Sequence, residues 1–136
     1  KELNNFSEKI KKSNLADLTQ RMFDEIIDFY GFKLLVSELE VEPAVMKNIC
    51  FQLIERFDNM FATIITKWNN KIILNIAISK KLVESKKMNA ANIINDIGHH
   101  INAKGGGQPF FAVASGNKES GISEMIVALK EKLKSF

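Results

Sequence analysis

Cysteine is nearly absent from this sequence, with Cys50 the only one in 136 residues. No disulfide can form within the chain, and a reducing, cytoplasmic setting is the expectation. Long apolar runs are missing too. None approaches the ~20 residues that span a bilayer, and Lys1-Glu2-Leu3-Asn4-Asn5 has no apolar signal-peptide core, so no membrane association is expected. There is no initiator methionine at Lys1, which points to a piece of something longer. Internal repeats are absent, as are the motifs of zinc proteases, serine hydrolases and protein kinases. What remains is a chain of one-domain length with 46% hydrophobic residues, enough for an independent core.

Excess charge is small overall and large in one place. The formal charge is +3, yet Lys67, Lys71, Lys80, Lys81, Lys86, Lys87 and Lys104 face only Glu84 and Asp96 between positions 67 and 104. A local net charge of +5 suits a polyanion.

Hydrophobic spacing supplies the elements. Leu3, Phe6 and Ile10, then Leu15, Leu18, Met22, Ile26 and Phe29, predict a helical lead-in over residues 1–30, broken at Lys11 to Asn14 and stopped by Gly31. A globular part then follows over 31–136. Phe32, Leu34 and Val36 alternate as a strand, and the apolar Leu35 between them implies cover on both faces. Pro43 opens a helix with Met46, Ile49, Cys50, Leu53 and Phe57 on one face. Within that face Cys50 reads as a small buried apolar residue. Phe61 to Trp68 and Lys71 to Ser79 predict a hairpin turning at Asn69-Asn70. Asn89 caps a helix carrying Ala90, Ile94, Ile97 and Ile101, Phe110 to Ala114 is a short strand, and Ile122 to Phe136 closes the chain as a helix. The order β-α-β-β-α-β-α, behind the lead-in, predicts an α/β fold of mixed type with one mixed sheet of about four strands.

Candidate chemistry is sparse. His99 and His100 with Asp96 suggest a metal or acid–base site, but adjacent helical residues diverge by about 100° and Asp96 with His100 supplies only two ligands. No catalytic or metal-binding residue is therefore assigned. Lys104-Gly105-Gly106-Gly107-Gln108-Pro109 is the segment that demands an explanation. Successive glycines belong where the backbone needs positive φ or where something approaches closely. A Walker loop is excluded, because these glycines leave a helix and enter a strand. A phosphate-binding nest beside Lys104 and a plain tight turn both remain open. Phe110 and Phe111 should point to opposite strand faces as core residues, with at most one free to stack on a base.

On Lys104 to Pro109, with Ser115-Gly116 after the short strand, the chain resembles the C-terminal domain of alanyl-tRNA synthetases, of the family found behind the catalytic domain of DHH phosphoesterases. The recurrent signature there is Gly-Gly-Lys-Gly-Gly-Gly-Arg/Gln-Pro, ahead of a strand ending in Ala-Gly-Gly. Asn102, Ala103 and Ser115 depart from it, and Gln108 stands where the phosphoesterase branch carries histidine. The resemblance implies a non-catalytic module that contacts the elbow of tRNA(Ala) and couples aminoacylation with editing. ATP and zinc would be bound by other parts of such an enzyme, and no cofactor by this one. Together with the basic stretch it marks Lys80, Lys81, Lys86, Lys87, Lys104, Gly105, Gly106, Gly107 and Gln108 as nucleic-acid-binding residues. Alternatives are a homodimerisation module pairing through the lead-in, and the substrate-binding domain of a DHH phosphoesterase.

Overall fold

The computed structural model describes residues 20–136. The readings made for Leu3 to Leu18, including the break at Lys11 to Asn14 and pairing between subunits through that segment, lie outside the described residues. One mixed sheet organises the rest, with six strands where the sequence reading expects about four. In chain order the elements are helix α1 over residues 20–25, β1 (Ile27–Phe29), β2 (Phe32–Leu39), α2 (Pro43–Arg56), β3 (Met60–Trp68), β4 (Lys71–Ile78), α3 (Lys80–Ser85), α4 (Ala90–Ile97), a short 3-10 turn (Gly98–Ile101), β5 (Lys104–Gly107), β6 (Phe111–Gly116) and α5 (Ile122–Leu133). The sheet order is β1-β2-β3-β4-β6-β5, with β2 and β3 parallel and the other neighbours antiparallel.

The central strands are buried because helices cover both faces. Phe61, Ile65, Leu74 and Ile76 point into a core closed by Leu82 of α3, Ile93, Ile94 and Ile97 of α4, and Met125 and Leu129 of α5. On the opposite face Leu35, Met60, Ala62, Ile64 and Ala77 meet Met46, Ile49, Cys50 and Leu53 of α2. Each large side chain so buried contributes about 1.5–3 kcal/mol. Burial pushes the Cys50 thiol up to about 12, as the packing reading of that residue requires. Ser79 pins the α2 end of the sheet: its hydroxyl accepts from the Met60 N–H at 3.0 Å and donates to the Phe57 carbonyl.

Both additional strands arise where a helical or loop pattern also fits a strand. Ile26 and Phe29 have helical spacing from Met22, but Ile27 and Phe29 equally share one face of a strand, and the helix stops at residue 25. Gly31 is therefore no helix stop. Tyr30 and Gly31, at φ 49° and 94°, form the two-residue turn between β1 and β2. Asn69 and Asn70, at φ 50° and 62°, make the same kind of turn at the expected β3–β4 hairpin. The Asn89 side chain accepts the Asn92 N–H at 3.1 Å and starts α4 as its sequence predicts.

Candidate nucleic-acid interface

The second additional strand is the glycine triplet. Lys104 to Gly107 run extended as the edge strand β5 and pair with Ser115 to Ala112 of β6. None of the three glycines has positive φ, so the nest expected as one reading of the triplet is not formed, and neither is a helix cap. The left-handed conformation falls on Asn102 at φ 57°, whose amide reaches the Asn117 side chain at 3.3 Å. Close approach explains two of the glycines. A Cβ on Gly105 would stand 2.0 Å from the Val113 carbonyl oxygen, and one on Gly107 would stand 2.4 Å from that of Phe111. Gly116 is held likewise, since its Cβ would meet the Ile101 oxygen at 2.2 Å. Gly106 differs, because a Cβ there meets nothing within 4 Å.

Strand register divides the expected binding residues into two groups. Lys104 pairs with Ser115, which pairs with Ile73, so it lies at the end of the sheet holding Lys67, Lys71 and the Asn117-Lys118 turn. Lys80 and Lys81 begin α3 beyond Ile78, five residues and therefore about 17 Å farther along β4. Lys86 and Lys87 follow α3 at that second end, together with Gly107 and Gln108. The Gln108 to Phe111 turn is clasped there: the Ala90 N–H donates to the Pro109 oxygen and the Ile78 N–H to the Phe110 oxygen, both at 2.8 Å.

Ion pairing grades these lysines. Lys67 meets Glu119 at 2.6 Å, and that hydrogen bond raises its pKa. Lys80 and Lys81 stand 4.0 and 3.8 Å from Glu84 and Asp58. Among the described residues Lys71, Lys86, Lys87 and Lys104 form no ion pair. They are cations open to an external anion.

The histidines form no metal centre with Asp96. Their rings lie together with centroids 4.1 Å apart instead of diverging, but Asp96 is held by Lys132 at 2.6 Å and His100 faces Glu124 at 3.8 Å. No cluster of three or more potential metal-ligating side chains occurs among the described residues. No described helix is long and apolar enough to cross a membrane.

Phe111 packs against the α2-side core as expected, and Phe110 does not. Phe110 precedes β6 and is 43% exposed instead of buried in the core. Its ring centroid stands 6.4 Å from that of Phe51 on α2, and the half-buried Phe111 lies 5.0 Å from the same ring. A turn in front of the strand, where alternation does not apply, lets both phenylalanines reach one helix.

The chain is 33% identical over 129 residues to the alanine–tRNA ligase of Christiangramia forsetii and 31% identical over 125 residues to that of Bacteroides thetaiotaomicron, covering 95% and 91% of its own length. It spans only 14% of the length of each of these relatives. Among solved structures it is similar to the C-Ala domain of Aquifex aeolicus alanyl-tRNA synthetase, at a TM-score of 0.70 and 28% identity over 78% of this chain and 95% of that one. Thermus thermophilus RecJ shares the fold at a TM-score of 0.69 but 12% identity, over 99% of this chain and 20% of RecJ. Residues 31–135 match the DHHA1 domain, and the chain belongs to that family.

Proposed function

We propose that this chain is the non-catalytic tRNA-binding module at the C-terminal end of a cytoplasmic alanine–tRNA ligase. It contacts the elbow of tRNA(Ala) through phosphates and so holds one tRNA for the aminoacylation and editing domains. Such a domain needs little affinity of its own, because tethering raises the effective concentration of the RNA for the linked domains. ATP and zinc belong to those other domains in this reading, which takes the other parts of the synthetase as this module's protein partners.

The observation that supports the reading is that the Gln108 to Phe111 turn is hydrogen-bonded to Ile78 and Ala90, which flank the segment carrying Lys80, Lys81, Lys86 and Lys87, with the last two lysines unpaired among the described residues. Cations beside exposed backbone suit phosphate contact without base reading. Similarity to synthetases at 28–33% identity, against 12% for RecJ, and Gln108 at the histidine position favour a synthetase module over a phosphoesterase half.

Filter binding with an alanine tRNA transcript at low ionic strength tests it. Charge reversal at Lys80 and Lys81 should weaken binding, and reversal at Lys104 should weaken it separately if the RNA spans both ends of the sheet. No affinity in the unmodified chain, or binding indifferent to all three reversals, overturns the proposal.

A further inference from the structure

We propose that the ring shelf of Phe51, Phe110 and Phe111 is a stacking site for a nucleobase whose face its own strand leaves open, with neighbouring phosphates held by Lys47 and the lysines at α3. The inference rests on the nucleic-acid reading above and adds to it a contact with bases. The main-chain bonds of the turn do not call for a phenylalanine at position 110. The turn around it is held through main-chain groups, the Pro109 and Phe110 carbonyls accepting from Ala90 and Ile78, and any residue would supply those bonds. The ring itself stays 43% exposed with Phe51 beside it.

Gly106 extends the same open surface. Phe111, Val113 and Ser115 alternate onto the α2 side of the sheet, and Gly106 pairs with Val113, so the missing side chain belongs to that side. Glycine weakens a strand, and here neither positive φ nor a close neighbour demands it. A bare position beside aromatic rings leaves room for a flat ligand.

Charge selects the occupant. The Lys47 ammonium stands 5.9 Å from the Phe51 ring centroid, and the Phe110 and Pro109 carbonyls accept from Ile78 and Ala90 at the two ends of the segment that carries Lys80, Lys81, Lys86 and Lys87. The nearby carboxylates of Glu84 and Asp58 are already set against Lys80 and Lys81. Aromatic faces bordered by cations match an unpaired stretch of nucleic acid, in which bases and phosphates alternate.

Two polyanions of equal length separate stacking from charge: a single-stranded oligoadenylate of about 12 nucleotides, within the span of one small nucleic-acid domain, and inorganic polyphosphate, which has no bases. Phe110→Ala should lower oligoadenylate affinity by about fivefold to a hundredfold, the worth of one stacked base, and leave polyphosphate affinity within about twofold. Phe110→Trp should retain affinity, and its added emission, measured against the unmodified chain carrying Trp68, should be quenched by oligoadenylate and not by polyphosphate. Gly106→Leu should fold with a melting temperature no lower than that of the unmodified chain and bind oligoadenylate more weakly. Equal losses for both polyanions, or unchanged oligoadenylate binding in Phe110→Ala, overturn the stacking site. If reversal of the α3 lysines still abolishes binding in that case, phosphate contact survives without it. Absence of any oligoadenylate binding by the unmodified chain removes the stacking proposal, and absence of tRNA binding as well removes the functional reading beneath it.

Discussion

The three glycines of β5 should respond differently to the same added methyl group. At Gly106 a Cβ enters open space and φ is not positive, so alanine costs nothing in the native state and restricts the unfolded chain. Gly106→Ala should therefore stabilise by about 0.5–1 kcal/mol. At Gly105 the new carbon would lie 2.0 Å from the Val113 oxygen and 2.6 Å from the Ala114 Cα, both main-chain atoms that no side-chain rotation can move. The edge strand must back away by about 1 Å or more, at a cost on the order of overpacking a core, 1–3 kcal/mol. Gly107, at 2.4 Å from the Phe111 oxygen, should lose a similar amount. Against a total stability of about 5–15 kcal/mol the two signs are easily separated. Urea unfolding followed through Trp68, the only tryptophan, gives the midpoints at a common slope. Equal destabilisation by all three alanines, or tolerance of all three, would refute the extended, β6-hugging path of this segment.

Buried hydroxyls and the thiol supply further outcomes. Thr63 Oγ1 is buried with no hydrogen-bond partner among the described residues, so Thr63→Val should raise stability by about 1 kcal/mol, seen as a melting temperature higher by roughly 3 °C. Ser79→Ala should instead cost about 1–3 kcal/mol in urea unfolding, because the Met60 N–H and the Phe57 carbonyl both lose their buried partner. With its pKa pushed from 9.0 to about 12, Cys50 is a protonated, enclosed thiol, and alkylation at pH 8 should proceed only as fast as the chain opens. Because the folded pKa is the higher one, the thiol's contribution is intact below pH 9 and is lost as pH rises beyond it, so Cys50→Ala should flatten the alkaline limb of a stability–pH curve.

Periodicity made the central elements readable from the sequence. Asn69-Asn70, Pro43 and Asn89 each carry their own backbone chemistry, and the structure uses each as that chemistry dictates. The edges were less legible. Ile27 and Phe29 satisfy helical and strand spacing alike, and only pairing with Phe32 and Leu34 across the Tyr30-Gly31 turn decides between them. Glycine has no side chain to alternate, so β5 carries no periodic signal; its strand character comes wholly from β6. The basic stretch was visible as composition, but its division between two ends of the sheet depends on strand register, a long-range property. Phe110 was read as a core residue for the same reason, since its partner Phe51 is a distant residue brought close by α2 packing.

The most direct measurement is the salt dependence of binding to an alanine tRNA transcript. If a few lysine–phosphate contacts hold the RNA, log K should fall against log salt with a slope of about −3, and Lys86→Glu with Lys87→Glu should reduce that slope by about 1–2. Those two carry no ion pair among the described residues, so their reversal should exceed that of the partnered Lys80 and Lys81. An affinity that stays level between about 50 and 200 mM salt, or a slope untouched by the double reversal, would contradict phosphate contact at this face.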